Sequence, residues 1–151
     1  MTNPAVGEIL NELLALEQRS IVSRLVESNV FVARTAVEEL FALRRLAQWN
    51  REHCQKLSQL ILDLGGLPGP RGYESSSADL HYLGLRHVLP RIEADLQQII
   101  RRYQLATMRM SGDTPAFKLI QEILQHHEES LRIIQGLGSR RVAVANPIPQ
   151  S

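Results

Sequence analysis

The chain has 151 residues, enough for one domain with a substantial core and too few for two. Its 44% hydrophobic and 22% charged residues are typical of a globular protein, and no apolar run approaches the roughly 20 residues that cross a membrane. A formal net charge of +1, without a long Lys/Arg run, argues against nucleic-acid binding. The single cysteine, Cys54, and the lack of a signal-peptide pattern after Met1 predict a cytoplasmic protein.

Two long helices are predicted in the first half of the chain. Helix A is expected from Pro4, which a first turn tolerates, to about Ala33. The Thr-x-x-Glu sequence that begins at Thr35 has the form of a capping box, so helix B is expected to begin there after a tight turn. Helix B should end at Gly65 and Gly66, because glycine readily adopts the left-handed conformation that terminates helices.

Helix C is expected after a long linker. Residues 65–77 are rich in Gly, Pro and Ser, which predicts a connection without regular structure. Helix C should then run from about Ala78 to Ser111. Pro90 lacks a backbone N–H, so a kink, or a short separate helix before Leu89, is expected there.

Helix D is expected to follow a short capping sequence. Asp113 or Thr114 can cap it, and Pro115 suits its first turn. Two glycines are expected to end the helix at about Leu137.

The lengths of the connections predict the fold. Short A–B and C–D connections favour antiparallel hairpins, and the B–C linker is long enough to cross the length of a bundle. The predicted fold class is therefore all-α, an antiparallel four-helix bundle over residues 1–138. Residues 139–151 lack helical patterning and are predicted to be a flexible C-terminal tail.

Polar residues interrupt the apolar stripes of three helices. Leucine and isoleucine recur at steps of three and four residues, which is typical of a helix face that packs against a neighbour. Helix A carries Glu17 in this stripe, helix B carries Asn50 and His53, and helix D carries His127 and Ser130. Because buried polar groups are costly unless they have partners, these positions predict one shared polar centre inside the bundle.

An ordered set of short motifs resembles the bacterioferritins of the ferritin-like superfamily. The first motif matches the Leu-Asn-x-x-Leu-x-x-Glu of that family's opening helix, whose Glu binds metal, and another matches the Gly-Leu-Pro exit of its second helix. The similarity extends in order over most of residues 9–137. The segments that carry it are residues 10–17, residues 53–57 with 64–68, residues 94–96 and residues 112–124.

The resemblance implies a centre that lacks most of the family's ligands. In this family a di-iron site takes one Glu from each of two helices and a Glu-x-x-His pair from each of the other two. Glu17 matches the first Glu and His53 the first His. The other four positions differ from the pattern and are occupied by Asn50, Ile99, His127 and Ser130. Neither bridging carboxylate is present, so a normal di-iron ferroxidase is not expected and no catalytic residue is assigned.

One divalent metal ion is the first interpretation of this centre. Glu17, His53 and His127 would bind it, with Asn50 or water completing the coordination. Two His and one carboxylate suit Zn or a non-haem Fe(II), and the sequence does not choose between them. No haem is expected, because Arg51 stands where the family has its haem-binding Met. His126, next to His127, is expected to be a solvated or interface residue.

A metal-free polar core is the alternative. The guanidinium of Arg24 could occupy the place of the cation and pair with Glu17, with Tyr103 and Ser130 in the same network. A buried polar group that has its partners costs little to keep. The protein would then be a non-catalytic structural or partner-binding bundle.

The resemblance also implies an assembly. Dimers of this family form along helices A and B, so a homodimer is expected, or a pair with a second ferritin-like subunit. A fifth helix supports the family's 24-subunit cages, and residues 140–151 contain two prolines and no amphipathic pattern, so no such cage is expected. The residues expected to offer apolar surface for a dimer are Val22, Val26, Phe31, Leu43 and Trp49.

Overall fold

The computed structural model describes residues 4–22, 37–69 and 85–145. These residues form four helices and contain no strand, which confirms the all-α class. Helix α1 packs against α2 and α3, and α4 packs against α3 and α2. In the described part of the chain, no helix is long and apolar enough to span a membrane. The helices are α1 (Pro4–Gln18), α2 (Val37–Asp63), α3 (Leu85–Met108) and α4 (Pro115–Ala145).

The core consists of two apolar clusters with a polar layer between them. The first apolar cluster lies at one end of the bundle. It contains Leu10 and Leu14 of α1 and Ile120 and Ile123 of α4, together with buried residues of α2 and α3. The second apolar cluster lies on the other side of the polar layer. It contains Val22, which follows α1, together with later residues of α4 and earlier residues of α2 and α3 than the first cluster does. The members of this second cluster are Val22, Leu43, Leu46, Ala47, Leu89, Ile92, Leu96, Ile134 and Leu137.

The first helix is interrupted just after Glu17. Helix α1 ends at Gln18, the backbone turns at residues 19–20, and the chain is helical again at Ile21, so the prediction of one helix to Ala33 was wrong. Side chains from other helices bind the backbone at this interruption. Asn50 Nδ2 donates to the Glu17 carbonyl oxygen at 3.0 Å, and Asp95 Oδ2 accepts from the Ile21 N–H at 3.4 Å. They satisfy backbone groups that a helix end leaves without partners.

Helix α2 ends where its glycines predict. Gly65 has a φ of 85°, and its N–H donates to the Leu62 carbonyl at 2.9 Å. The N–H of Gly66 donates to the Ile61 carbonyl, also at 2.9 Å, which completes a Schellman motif. The helix begins at Val37, and the capping box at Thr35 lies outside the described residues.

Helix α3 is continuous through its proline. It runs from Leu85 to Met108 as a single helix, so no separate helix precedes Leu89 within the described residues, and its end comes before the predicted Ser111. Pro90 lies near the beginning of α3, where its missing N–H removes only one early hydrogen bond. The predicted beginning at Ala78 falls outside the described residues.

Helix α4 is longer than predicted. Thr114 caps it, because its Oγ1 accepts from the Phe117 N–H at 3.2 Å. The expected end near Leu137 was wrong, since the helix continues to Ala145 and residues 139–145 extend it instead of beginning a tail. Gly136 and Gly138 weaken a helix without ending it, and the next proline comes only at position 147.

Two alanine substitutions test whether the end of α2 depends on the positive φ of Gly65. Gly65→Ala should lower the free energy of unfolding by about 1 kcal/mol, because alanine is strained at positive φ. Gly7→Ala is the matched control, since Gly7 lies inside α1 with open space where an added Cβ would lie, and it should raise stability by about 0.5–1 kcal/mol. Urea denaturation measures both, and equal effects of the two substitutions would contradict the assignment.

Candidate metal centre

The polar layer brings together side chains from three helices around one carboxylate. Glu17 comes from α1, Asn50 and His53 from α2, and His127 from α4. Glu17 is fully buried, and no more than 6% of any of the other three residues is exposed. The four residues therefore meet inside the bundle, as predicted.

Both oxygens of the Glu17 carboxylate have hydrogen-bond partners. Oε1 accepts from the Tyr103 hydroxyl at 2.7 Å and lies in hydrogen-bond contact with His127 Nε2. Oε2 accepts from Asn50 Nδ2, which also donates to the Glu17 carbonyl oxygen. The buried carboxylate is thus bound from α2, α3 and α4 at once.

His53 presents a ring nitrogen that has no hydrogen-bond partner. Its Nδ1 lies 3.6 Å from Glu17 Oε2 and is the one fully buried side-chain N or O atom without such a partner among the described residues. The other nitrogen, Nε2, lies 2.9 Å from His126 Nδ1. When the His53 Nε2–H donates to His126, Nδ1 carries a lone pair that faces the carboxylate. A lone pair held in this way is what a metal ion requires of an imidazole ligand.

The charges of the centre favour an ionised Glu17 and a protonated Tyr103. Burial raises the pKa of Glu17, but the neighbouring His127 and His53 outweigh it and hold the pKa well below its ordinary value of 4.5. Burial and the negative charge of Glu17 raise the pKa of Tyr103 well above 10.0, so its hydroxyl keeps the proton that it donates.

Three of these side chains can hold a metal ion. Glu17, His53 and His127 each offer one ligand atom, and the three atoms lie within 4.8 Å of one another. Two imidazole nitrogens and one carboxylate oxygen suit Zn or Fe(II). The Nδ1 of His53 fits such an ion, because it makes no hydrogen bond, lies 3.6 Å from Glu17 Oε2, and would gain a close partner in a cation.

His126, predicted to be a solvated or interface residue, is partly exposed and also contacts the centre. Its ring stacks between Trp49, at a centroid distance of 5.1 Å, and His53, at 5.2 Å. The Arg45 guanidinium lies 4.9 Å from the centroid of the Trp49 ring on α2. Burial, and then the neighbouring His53, lower the pKa of His126. His126 therefore orients the imidazole of His53. The spacing of Trp49 and His53, one helical turn apart, was the available signal.

The remaining predicted residues lie around the centre in different ways. Ile99 is buried in an apolar cluster and supplies no ligand. Ser130 is buried, but its hydroxyl donates to the His126 carbonyl at 2.8 Å instead of to Glu17. Tyr103 does bind Glu17, as the polar-core interpretation expects. Arg24 lies outside the described residues.

Two residues predicted to form a dimer surface lie in the core instead. Val22 is 4% exposed and Leu43 is fully buried, because both pack into the second apolar cluster. Trp49 is half-buried under Arg45 and His126. Val26 and Phe31 fall outside the described residues.

Comparisons of the chain with protein-family models, with curated proteins and with solved structures give no match.

The lowered pKa of Glu17 predicts a dependence of stability on pH. A carboxyl whose pKa is lower in the folded than in the unfolded protein contributes stability above its ordinary pKa of 4.5, and this contribution is lost as the pH falls below that value. In the presence of a chelator, the free energy of unfolding should therefore drop by about 1–2 kcal/mol between pH 4.5 and about 3 from this residue.

The variants Glu17→Gln and Glu12→Gln separate this contribution from that of other carboxyls. Urea denaturation across the same pH range should give a shallower slope for Glu17→Gln and an unchanged slope for Glu12→Gln, whose side chain is exposed on the same helix. Equal slopes for wild type and Glu17→Gln would show that Glu17 is not selectively stabilised as a carboxylate.

Proposed function

We propose that the protein is a ferritin-like bundle that lacks a complete di-iron centre and binds one divalent metal ion, Fe or Zn, through Glu17, His53 and His127. The observation that carries the proposal is the buried Nδ1 of His53, which faces Glu17 without a hydrogen-bond partner. Native proteins seldom leave a buried nitrogen without a partner, and a bound ion is one of the partners that such a nitrogen can have.

The order of the two apolar clusters along the helices supports the ferritin-like arrangement. Helices α1 and α4 pass from the first cluster to the second, whereas α2 and α3 pass from the second to the first. This order suits antiparallel α1–α2 and α3–α4 hairpins joined by a connection that runs the length of the bundle. The family resemblance of residues 9–137 is consistent with the same topology.

The composition of the centre favours one ion over two. A second cation would need carboxylates near Asn50 and Ile99, where the chain supplies an amide and an alkyl group. Asn50 donates to Glu17 through Nδ2 and, turned about its amide, could offer Oδ1 to the same ion. One Glu and two neutral His would carry one divalent ion with a net charge of +1, which is easier to bury than two such ions.

Each residue of the centre has a role in holding the ion. Tyr103 fixes the Glu17 carboxylate by its hydrogen bond to Oε1, and His126 fixes the ring of His53. His127 would hold the ion in the tautomer that carries its proton on Nδ1, so that the lone pair of Nε2 lies beside Glu17 Oε1. A bound Zn with an open position would supply Lewis-acid chemistry, and a bound Fe would supply Lewis-acid or oxygen chemistry.

Metal titration tests the proposal directly. Zn²⁺, or Fe²⁺ without oxygen, should bind with a stoichiometry of one per chain in calorimetry. Glu17→Gln and His127→Gln should each weaken binding by about 100-fold or more, because a first ligand is lost. Glu12→Gln, exposed on the same helix, should bind like wild type. Less than about a tenth of an equivalent of metal after gentle purification, together with no binding in the titration, would refute the proposal.

A metal-free polar core is the second candidate, and the hydrogen bonds of Glu17 favour it. Tyr103, Asn50 and His127 satisfy both carboxylate oxygens without an ion. The protein would then be a structural or partner-binding bundle without catalytic function.

The variant His53→Leu distinguishes the two candidates by thermal melting. With a chelator present it should be more stable than wild type by about 1 kcal/mol, since it removes a buried atom without a partner. With Zn²⁺ at about 100 times its Kd, the free energy of unfolding of the wild type should rise by about 2.7 kcal/mol, and that of His53→Leu should not change.

Ser130→Ala is the matched control for this melt. Its hydroxyl, buried in the same layer, donates to the His126 carbonyl, so the variant should keep the metal response. A wild-type protein that gains no stability with metal would favour the metal-free core.

The assembly remains part of the proposal. A homodimer along α1 and α2, or a pair with a second ferritin-like subunit, would bury Phe41, whose side chain is 71% exposed on α2. We propose that the protein forms no 24-subunit cage and binds neither haem nor nucleic acid. The proposed location is the cytoplasm.

A further inference from the structure

A groove with an apolar floor lies between α1 and α3. Its volume is about 760 Å³, within the range of about 300–1,000 Å³ that is common for small-molecule sites. Leu13 and Ala106 form buried parts of its lining, whereas Leu105 and Met108 are 50% and 81% exposed. An exposed methionine beside an exposed leucine is a surface that can adapt to an apolar ligand.

The charged residues of the groove are mostly cationic. Arg19, Arg102 and Arg109 line it together with a single carboxylate, that of Glu12. The groove therefore carries a formal charge of +2, while the whole chain carries only +1. This local excess suits an anionic ligand.

Two of the arginines share one end of the groove. The side chain of Glu17 on α1 accepts a hydrogen bond from Tyr103 on α3. Four residues after Glu17, the Ile21 N–H donates to Asp95, which lies eight residues before Tyr103 on α3. Arg19 lies between Glu17 and Ile21, and Arg102 immediately precedes Tyr103. Both arginines therefore extend into the groove from this level of the bundle, and the Arg19 Nε–H donates to the Ala15 carbonyl at 3.2 Å.

The opposite end of the groove is close to neutral. Glu12 lies more than one turn before Glu17 on α1, and Arg109 lies more than one turn after Tyr103, just past the end of α3, so these two opposite charges share that end. The apolar surface of Leu105 and Met108 lies between the two ends. The groove is thus polarised along its length, with positive charge at one end and apolar surface beyond it.

We propose that this groove binds a medium-chain carboxylate amphiphile, with the carboxylate at Arg19 and Arg102 and the alkyl chain along Leu105 and Met108. Arginine guanidinium groups bind carboxylates through paired, charge-assisted hydrogen bonds. The ten residue steps from Ile9 to Arg19 span about 15 Å of helix, close to the length of an extended twelve-carbon chain.

This ligand site is separate from the metal centre. Glu17 and Tyr103 are fully buried and do not line the groove, whose buried lining is formed by residues such as Leu13 and Ala106. The inference therefore goes beyond the proposed metal binding and does not depend on it.

Calorimetric titration of the full chain with dodecanoate, below its micelle concentration, tests the inference. We expect one dodecanoate per chain. Arg102→Gln should weaken binding about tenfold, because a charge-assisted hydrogen bond is lost. Arg101→Gln is the matched control, since Arg101 is an exposed neighbour that does not line the groove, and its affinity should stay within about twofold of wild type.

Two further measurements locate the ligand and test its charge. Met108→Glu, at a position that is 81% exposed, should abolish dodecanoate binding while leaving the thermal midpoint unchanged. Dodecan-1-ol, which lacks the carboxylate, should bind about tenfold more weakly than dodecanoate. Equal weakening by Arg101→Gln and Arg102→Gln, or equal affinity for the alcohol, would overturn the assignment.

Other occupants of the groove would also overturn it. If dodecanoate does not bind and light scattering shows a dimer that Met108→Glu dissociates, the groove is an interface between two copies of the chain. If an acidic amphipathic peptide binds where dodecanoate does not, the groove takes a protein partner.

Discussion

The structure depends on the burial of one negative charge. An isolated carboxylate inside a protein is costly, and it remains ionised only where donors and positive charge surround it. Tyr103 of α3, Asn50 of α2 and His127 of α4 all reach the carboxylate of Glu17. A single side chain of α1 therefore ties its helix to the three others, and the polar layer exists because Glu17 needs these partners.

The same layer fixes the relative heights of the helices. Apolar clusters above and below it are similar in character, so leucine and isoleucine alone would tolerate a shift of one helix by a turn. Such a shift would place Glu17 against Leu57 or against Leu46, without a donor, at the cost of an unpaired buried charge. The hydrogen bonds of Glu17 thus add specificity to a core that hydrophobic packing stabilises.

Periodicity located the buried polar residues because it depends only on spacing within one helix. Glu17, His53 and His127 lie inside as their stripes predicted. The features that the sequence did not predict depend on contacts between residues of different helices. The interruption after Gln18 is held by Asn50 and Asp95, and the role of His126 depends on a contact with His53 on another helix. The four helices of the described residues needed no such contact to be predicted, because glycine, proline and capping residues are local signals.

Asn50 decides what kind of centre this is. In the proposed ferritin-like arrangement Asn50 takes the place of a bridging carboxylate, and its amide donates to the side chain and the carbonyl of Glu17. A carboxylate there would repel Glu17 and require cations to offset both charges, whereas the amide offsets the charge of Glu17 by hydrogen bonding. The centre thus needs less positive charge than a di-iron site, and the unpartnered nitrogen of His53 marks where a single ion would complete it.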